Sequence, residues 1–229
     1  MSDQPTGEPR INPAGETGAK TSSTKETAQE IAHKAAEQTK RAARATGKSF
    51  LNIFHIWAKL APDPVGRSPQ AVSDIGASEA WQSLAWVVVL YAITLPFTEY
   101  HSLPLLFRHN HNFVAYAFHG IAMCVAMTAA VFGASKIFGG KSTLENSAFA
   151  VSISLIPQWI TLSATTCFFD WTHTWIFAVI GLGSCVGLFM MYAIFTRAFG
   201  LTDRRATLAV PLALGLGAGV AFYLGKIIS

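Results

Sequence analysis

The sequence predicts an all-α membrane protein: a bundle of five transmembrane helices preceded by a cytoplasmic helix and an interfacial amphipathic helix. Two observations lead to this fold class. The chain contains five apolar runs long enough to span a bilayer, and none of them contains Asp, Glu, Lys or Arg. Each such residue at a helix centre would cost about 2.5 to 3.5 kcal/mol on insertion scales, so five charge-free runs indicate spans rather than helices of a soluble core. Second, the basic residues are distributed unevenly between alternate sides of these runs.

The spans are predicted at residues 81–98, 113–134, 146–168, 174–195 and 206–225, within a membrane domain at residues 81–228. Fifteen of the 17 Lys and Arg residues fall on one side of this topology. Because basic residues favour the cytoplasmic side, we expect the N-terminal region and the second and fourth loops in the cytoplasm, and the C-terminus outside.

The region before the first span is predicted to have four parts. Residues 1–22 have too little hydrophobicity to support a folded core and are expected to be a disordered tail. Residues 23–47 are expected to form a polar cytoplasmic helix, because Ser23 and Glu26 have the spacing of a capping box. Residues 48–61 are expected to form the amphipathic helix, and residues 62–80 a polar linker.

The amphipathic helix carries apolar residues at helical spacing on one side, between Lys48 and Lys59. This pattern is typical of a helix that lies in the membrane interface with its apolar stripe toward lipid. The predicted membrane-surface residues are Phe50, Ile53, Phe54, Trp57 and Leu60.

The segment GGKST resembles a phosphate-binding loop, but its spacing excludes one. The required pattern GxxxxGK[ST] would need glycine at position 135, which is Ser135. We instead expect Gly139 and Gly140 to end the second span and Ser142 to cap the third, with Glu145 completing a capping box. The sequence therefore predicts no nucleotide and no cofactor, and the net charge of +4 is too small to predict nucleic-acid binding.

The only candidate metal ligands lie on the predicted outer side, in two separate loops. His-x-His is a weak signal on its own, and nothing in the sequence fixes the distance between the loops, so we predict no metal site. A cluster that binds metal or responds to pH remains the alternative. Its members would be His101, His109, His111, Asp170 and His173.

Within the spans, proline and glycine indicate how the helices pack. Pro157 is expected to kink the third span. Gly183-x-x-x-Gly187 and Gly215-x-x-x-Gly219 are expected to let the fourth and fifth spans approach closely, within one chain or between chains.

Several short motifs resemble the Yip family (Ypt/Rab-interacting) of five-span membrane proteins over about residues 80–228. They are Phe138-Gly139-Gly140-Lys141-Ser142, Ser154-Leu155-Ile156-Pro157, Phe199-Gly200-Leu201-Thr202 and Arg204-Arg205-Ala206. The resemblance implies a polytopic scaffold with a cytoplasmic N-terminus and no enzymatic activity. The Ala- and Lys-rich N-terminal region looks like that of a bacterial member, which implies a bacterial cytoplasmic (inner) membrane.

These observations leave three functional hypotheses. The first is a non-enzymatic membrane protein that organises membrane lipid or partner proteins. The second is an accessory subunit of a larger membrane complex, with other membrane proteins or a second copy as partners. The third is a small-solute channel or transporter that uses the third span, with Gln158 and His119 as its polar groups.

Overall fold

A computed structural model describes residues 33, 37, 39, 40, 46–101, 113–167 and 173–228. These residues are all-α, in agreement with the predicted fold class. The chain divides into two compact units, Met1–Lys48 and Ser49–Ser229. The predicted tail at 1–22 lies outside the described residues, and so does most of 23–47, of which the described residues are helical. The second unit contains all the helices from residue 49 onward.

The helices of the second unit have the following order along the chain. The first, α1, comprises residues 49–60 of a helix described from residue 46. It is followed by α2 (Pro64–Asp74), α3 (Ala77–His101), α4 (Phe113–Ile137), α5 (Leu144–Cys167), α6 (His173–Ala193), a π-helical segment (Ile194–Ala198) and α7 (Asp203–Ile228). The five predicted apolar runs lie on α3 to α7.

Three of these helices are long and apolar enough to cross a membrane. Their candidate spans are Phe118–Ile137 on α4, Leu144–Ala164 on α5, and Gly181–Ala198 on α6 and the π-helical segment. Large apolar side chains on the outer surface of the bundle are exposed, as expected where the surrounding solvent is lipid. They include Phe118, Val125, Ile160, Leu182 and Phe189. Among the described residues, these three candidate spans indicate a membrane protein.

The helices pack in a defined order around one core. α7 lies mainly against α4, α6 mainly against α5, and α3 against both α5 and α4. Large, fully buried side chains fill the interior, among them Val131, Phe149, Ile153, Phe195 and Phe199. Buried hydroxyls accompany them on α3, α4 and α5. Those of Ser83 and Ser152 are hydrogen-bonded, whereas those of Thr128, Ser135 and Ser154 have no hydrogen-bond partner among the described residues.

The segment 62–80 was predicted to be a linker, and this prediction was wrong. Pro64 begins α2, and Asp63 caps it by accepting a hydrogen bond from the Gly66 N–H at 2.8 Å. Ser68 and Val72 are buried, and α2 packs against α6, the π-helical segment and α5. The helix is only 11 residues long and contains two prolines, so its apolar periodicity is too short to distinguish it from a polar connection.

Candidate functional site at the junction of the first helix and the bundle

A chain of buried hydrogen bonds joins α1 to α3 and α5. Trp57 Nε1 lies 3.1 Å from Ser83 Oγ, which lies 2.8 Å from Ser152 Oγ. Ser152 Oγ donates to the Phe149 carbonyl oxygen at 2.8 Å. Each hydroxyl has one proton, so Ser83 must accept from the indole and donate to Ser152. The polar groups of all three side chains thus have hydrogen-bond partners away from water, and the hydrogen bonds can run in one direction only, from Trp57 through Ser83 to Ser152.

The stripe of α1 that was predicted to face lipid is instead largely the contact with the bundle. Ile53, Trp57 and Leu60 are buried in the protein core, so the prediction was wrong for these three residues. Periodicity shows that one side of a helix seeks an apolar environment, but lipid and protein both provide one. Of the remaining two residues, Phe54 is 55% exposed, and Phe50 is half-buried with its ring edge against Trp86 at a centroid distance of 4.7 Å.

Polar contacts at the rim of the junction also join α1 to the first turns of α3. Ser49 Oγ donates to Gln82 Oε1 at 2.8 Å, and Asn52 Nδ2 donates to Glu79 Oε1 at 3.0 Å. Gln82 Nε2 in turn donates to Ser78 Oγ at 3.1 Å. α1 is thus held through its buried stripe and also through contacts at its rim. Sequence reasoning missed Ser83 and Ser152, because hydroxyls are common on membrane helices and neither lies in a motif.

The predicted turn at Gly139 and Gly140 lies against a second Phe-Gly turn. Gly139 and Gly200 both have positive φ, 83° and 73°, a conformation that other residues adopt at a cost. A Cβ at Gly140 would lie 3.0 Å from the Ser135 carbonyl oxygen, so the chain passes too closely there for a larger residue. The Lys141 N–H donates to the Phe199 carbonyl oxygen at 3.0 Å, which joins the two turns.

The predicted capping of α5 by Ser142 and Glu145 was wrong by one residue. Helix α5 begins at Leu144, and Thr143 Oγ1 accepts from the Asn146 N–H at 3.2 Å. Ser142 is buried, and its hydroxyl has no hydrogen-bond partner among the described residues. Either of two adjacent hydroxyl residues can cap a helix. Here the path of the turn between α4 and α5 selects Thr143 rather than Ser142.

The first of the two predicted glycine pairs lies at a close helix contact. A Cβ at Gly187 would overlap the Ser154 carbonyl oxygen, and one at Gly183 would lie 2.7 Å from the Pro157 carbonyl oxygen. Pro157 is inside α5, which continues through it to Cys167. The partner of these glycines is therefore α5, the preceding span, rather than α7.

The second glycine pair does not pack within the chain. Around Gly215 and Gly219 no atom lies within 4 Å of the position that a Cβ would take. The glycine of α7 that makes a close contact is Gly217, where a Cβ would lie 3.1 Å from the Met127 Cα. Within one chain, the expected close contact through Gly215 and Gly219 was wrong, because both residues are exposed and α7 packs on α4 through Gly217. A contact of these two glycines between chains stays a prediction.

Only two members of the predicted outer-side cluster lie among the described residues. His101 ends α3 and His173 begins α6, whereas His109, His111 and Asp170 lie outside the described residues. In the part of the chain that the structure describes, no three His, Cys, Asp or Glu residues come together as metal ligands.

Comparison with known proteins found no match: no family model, no curated protein and no solved structure matched the chain. The local geometry defines one junction most sharply. There α1 is held on the bundle by Ile53, Trp57, Leu60 and the hydrogen-bond chain Trp57–Ser83–Ser152.

Proposed function

We propose that this protein is a non-enzymatic membrane scaffold of the Yip type with five spans, which organises membrane or partner proteins through its helix bundle and the first helix, α1. Two further spans, on α3 and α7, complete the set. They are 25 and 26 residues long, and each contains a run without Asp, Glu, Lys or Arg, at 81–98 and 206–225. Both helices pack along candidate spans, α3 along α4 and α5 and α7 along α4, and side-by-side packing favours a common membrane environment.

The orientation with a cytoplasmic N-terminus is supported by the charge at one end of the bundle. The two Phe-Gly turns lie at this end and are joined by the bond between the Lys141 N–H and the Phe199 carbonyl. The basic residues beside them are exposed, and they are Lys136, Lys141, Arg197, Arg204 and Arg205. Such a concentration of cations is typical of the cytoplasmic side, here of a bacterial inner membrane.

The observation that carries the scaffold proposal is the buried junction between α1 and the bundle. A helix that served only as a connection would not need a satisfied hydrogen-bond chain through Trp57, Ser83 and Ser152. Fixing α1 on the bundle gives its exposed residues a constant position on the surface of the second unit. A surface of constant geometry is what a scaffold needs if it binds partner proteins in the membrane or beside it.

The test compares proteins that co-purify with the tagged full-length chain in a mild detergent. The wild type and the exposed control His55→Ala are expected to retain the same set of membrane-protein partners, whereas Trp57→Ala loses most of it. Trp57→Phe, which removes the indole donor but keeps a ring, should show an intermediate loss if the larger substitution disturbs folding. Partners that are absent from all samples, or retained equally by Trp57→Ala, would refute the proposal.

A further inference from the structure

We infer that α1 has a second apolar surface, separate from its contact with the bundle, which lies against the acyl chains of the cytoplasmic leaflet. This lipid-facing edge consists of Phe50, Leu51, Phe54 and Ala58. The inference rests on the proposed function for its assignment of the cytoplasmic side, and it names lipid as the partner of the same helix.

The side chains of α1 fall into three sectors around the helix axis, because each residue advances by about 100°. The first sector is the buried contact with the bundle, centred on Ile53 and Leu60. The second is the lipid-facing edge, in which Leu51 is 66% and Phe54 55% exposed. The third is polar and exposed, and it contains Asn52, His55 and Lys59.

The contacts with α3 show which way the two exposed sectors point. On the side of the lipid-facing edge, Phe50 meets Trp86, which lies within the first predicted span. On the side of the polar sector, Asn52 meets Glu79, which precedes that span. Seven residues of helix separate these contacts, about 10 Å along α3. α1 therefore crosses α3 where the charged start of this helix gives way to its apolar part.

The direction of this crossing matches the chemistry of the sectors. The apolar edge points toward the span, and the polar sector points toward the charged first turn of α3. The exposed surface of α3 that continues from this level is also apolar, with Trp81, Val89 and Ile93 exposed. Tryptophan and lysine are typical of the headgroup boundary, where Trp81 and Lys59 would then lie. A phospholipid leaflet is the partner whose polarity changes along the same direction.

The test uses the full-length chain in lipid nanodiscs, with Cys124, Cys167 and Cys185 replaced and one nitroxide-labelled cysteine introduced at a time. The variants Leu51→Cys and Phe54→Cys probe the lipid-facing edge, and His55→Cys and Lys59→Cys are matched controls on the same turns. Collision of each label with oxygen, which concentrates in lipid, is compared with collision with a water-soluble nickel complex. Labels at 51 and 54 should collide severalfold more with oxygen, and labels at 55 and 59 more with nickel.

Two results would overturn the inference. Labels at 51 and 54 that collide with nickel as often as the label at 55 would show that this edge faces water. Low collision with both reagents would show that protein, such as a second copy or the N-terminal unit, covers it. A label at Ile53→Cys separates this failure from that of the proposed function: it should be inaccessible to both reagents, and high access there would mean that α1 is not held on the bundle.

Discussion

Replacing Trp57 tests most directly whether α1 is fixed to the bundle. The side chain is only 8% exposed and donates one buried hydrogen bond. Truncation of a buried aromatic residue to alanine costs about 3 to 5 kcal/mol, of which the hydrogen bond accounts for about 1 kcal/mol. If α1 opens locally without unfolding the spans, Trp57→Ala should raise its open population by a factor of about 10² to 4 × 10³, since each 1.4 kcal/mol is a factor of ten. Trp57→Phe leaves Ser83 bonded to Ser152, so its effect should be much smaller, about fivefold to tenfold for a loss near 1 kcal/mol.

The assay is hydrogen exchange of the backbone amides of residues 49–60 in nanodiscs, read by mass spectrometry against peptides from α4 and α5. Protection should fall in α1 alone, in the order Trp57→Ala, Trp57→Phe, wild type. The control His55→Ala, on the exposed side of the same helix, should leave protection unchanged. If the exchange of α1 in Trp57→Ala stays within about twofold of the wild type, the junction contributes far less than its burial implies, and the reasoning fails.

Three further predictions concern the turns and helix contacts. Gly187→Leu should lower the thermal unfolding temperature in detergent by several degrees, because overpacking against the Ser154 carbonyl costs about 1 to 3 kcal/mol. Gly215→Leu should leave this temperature nearly unchanged, and equal effects of the two substitutions would contradict the assigned helix contacts. Gly139→Ala should destabilise the protein by about 1 to 2 kcal/mol in reversible denaturation, because its φ is positive, and a neutral result would contradict the turn geometry. Thr143→Ala should lower the free energy of unfolding by about 1 kcal/mol, because it removes the cap of α5. Ser142→Ala should be neutral or stabilising in the same measurement, since the Ser142 hydroxyl is buried without a partner among the described residues. The reverse order would restore Ser142 as the cap.

The positions of the long helices could be predicted because they depend on a local property, the absence of charge over about 20 residues. The bounds of α3 to α7 contain the predicted apolar runs almost entirely. Partners could not be predicted in the same way. Gly183 and Gly215 begin identical small-residue motifs, yet one meets α5 and the other meets nothing within 4 Å. The motif permits a close approach, and the tertiary arrangement decides whether a neighbour makes use of it.

The same limit applies to the candidate site. The amphipathic pattern of α1 was visible in the sequence, but Trp57 satisfies it in protein as well as it would in lipid. Ser83 and Ser152 are separated by 69 positions, and only the packing of α3 on α5 brings their hydroxyls to 2.8 Å. A hydrogen-bond chain of this kind leaves no local pattern, because each member is an ordinary serine on an apolar helix.

The joined Phe-Gly turns indicate an internal two-fold relation within the bundle. The hairpin of α4 and α5 and the hairpin of α6 and α7 each turn at Phe-Gly with a left-handed glycine. Exchanging the hairpins converts the contact of α4 with α7 into that of α6 with α5, and both of these contacts are extensive. Even the carbonyls correspond: Phe199 accepts from the Lys141 N–H, and Phe138 accepts from Arg205 Nη1 at 3.2 Å. α3 has no counterpart in this exchange, so the bundle offers the first helix one docking place rather than two equivalent ones.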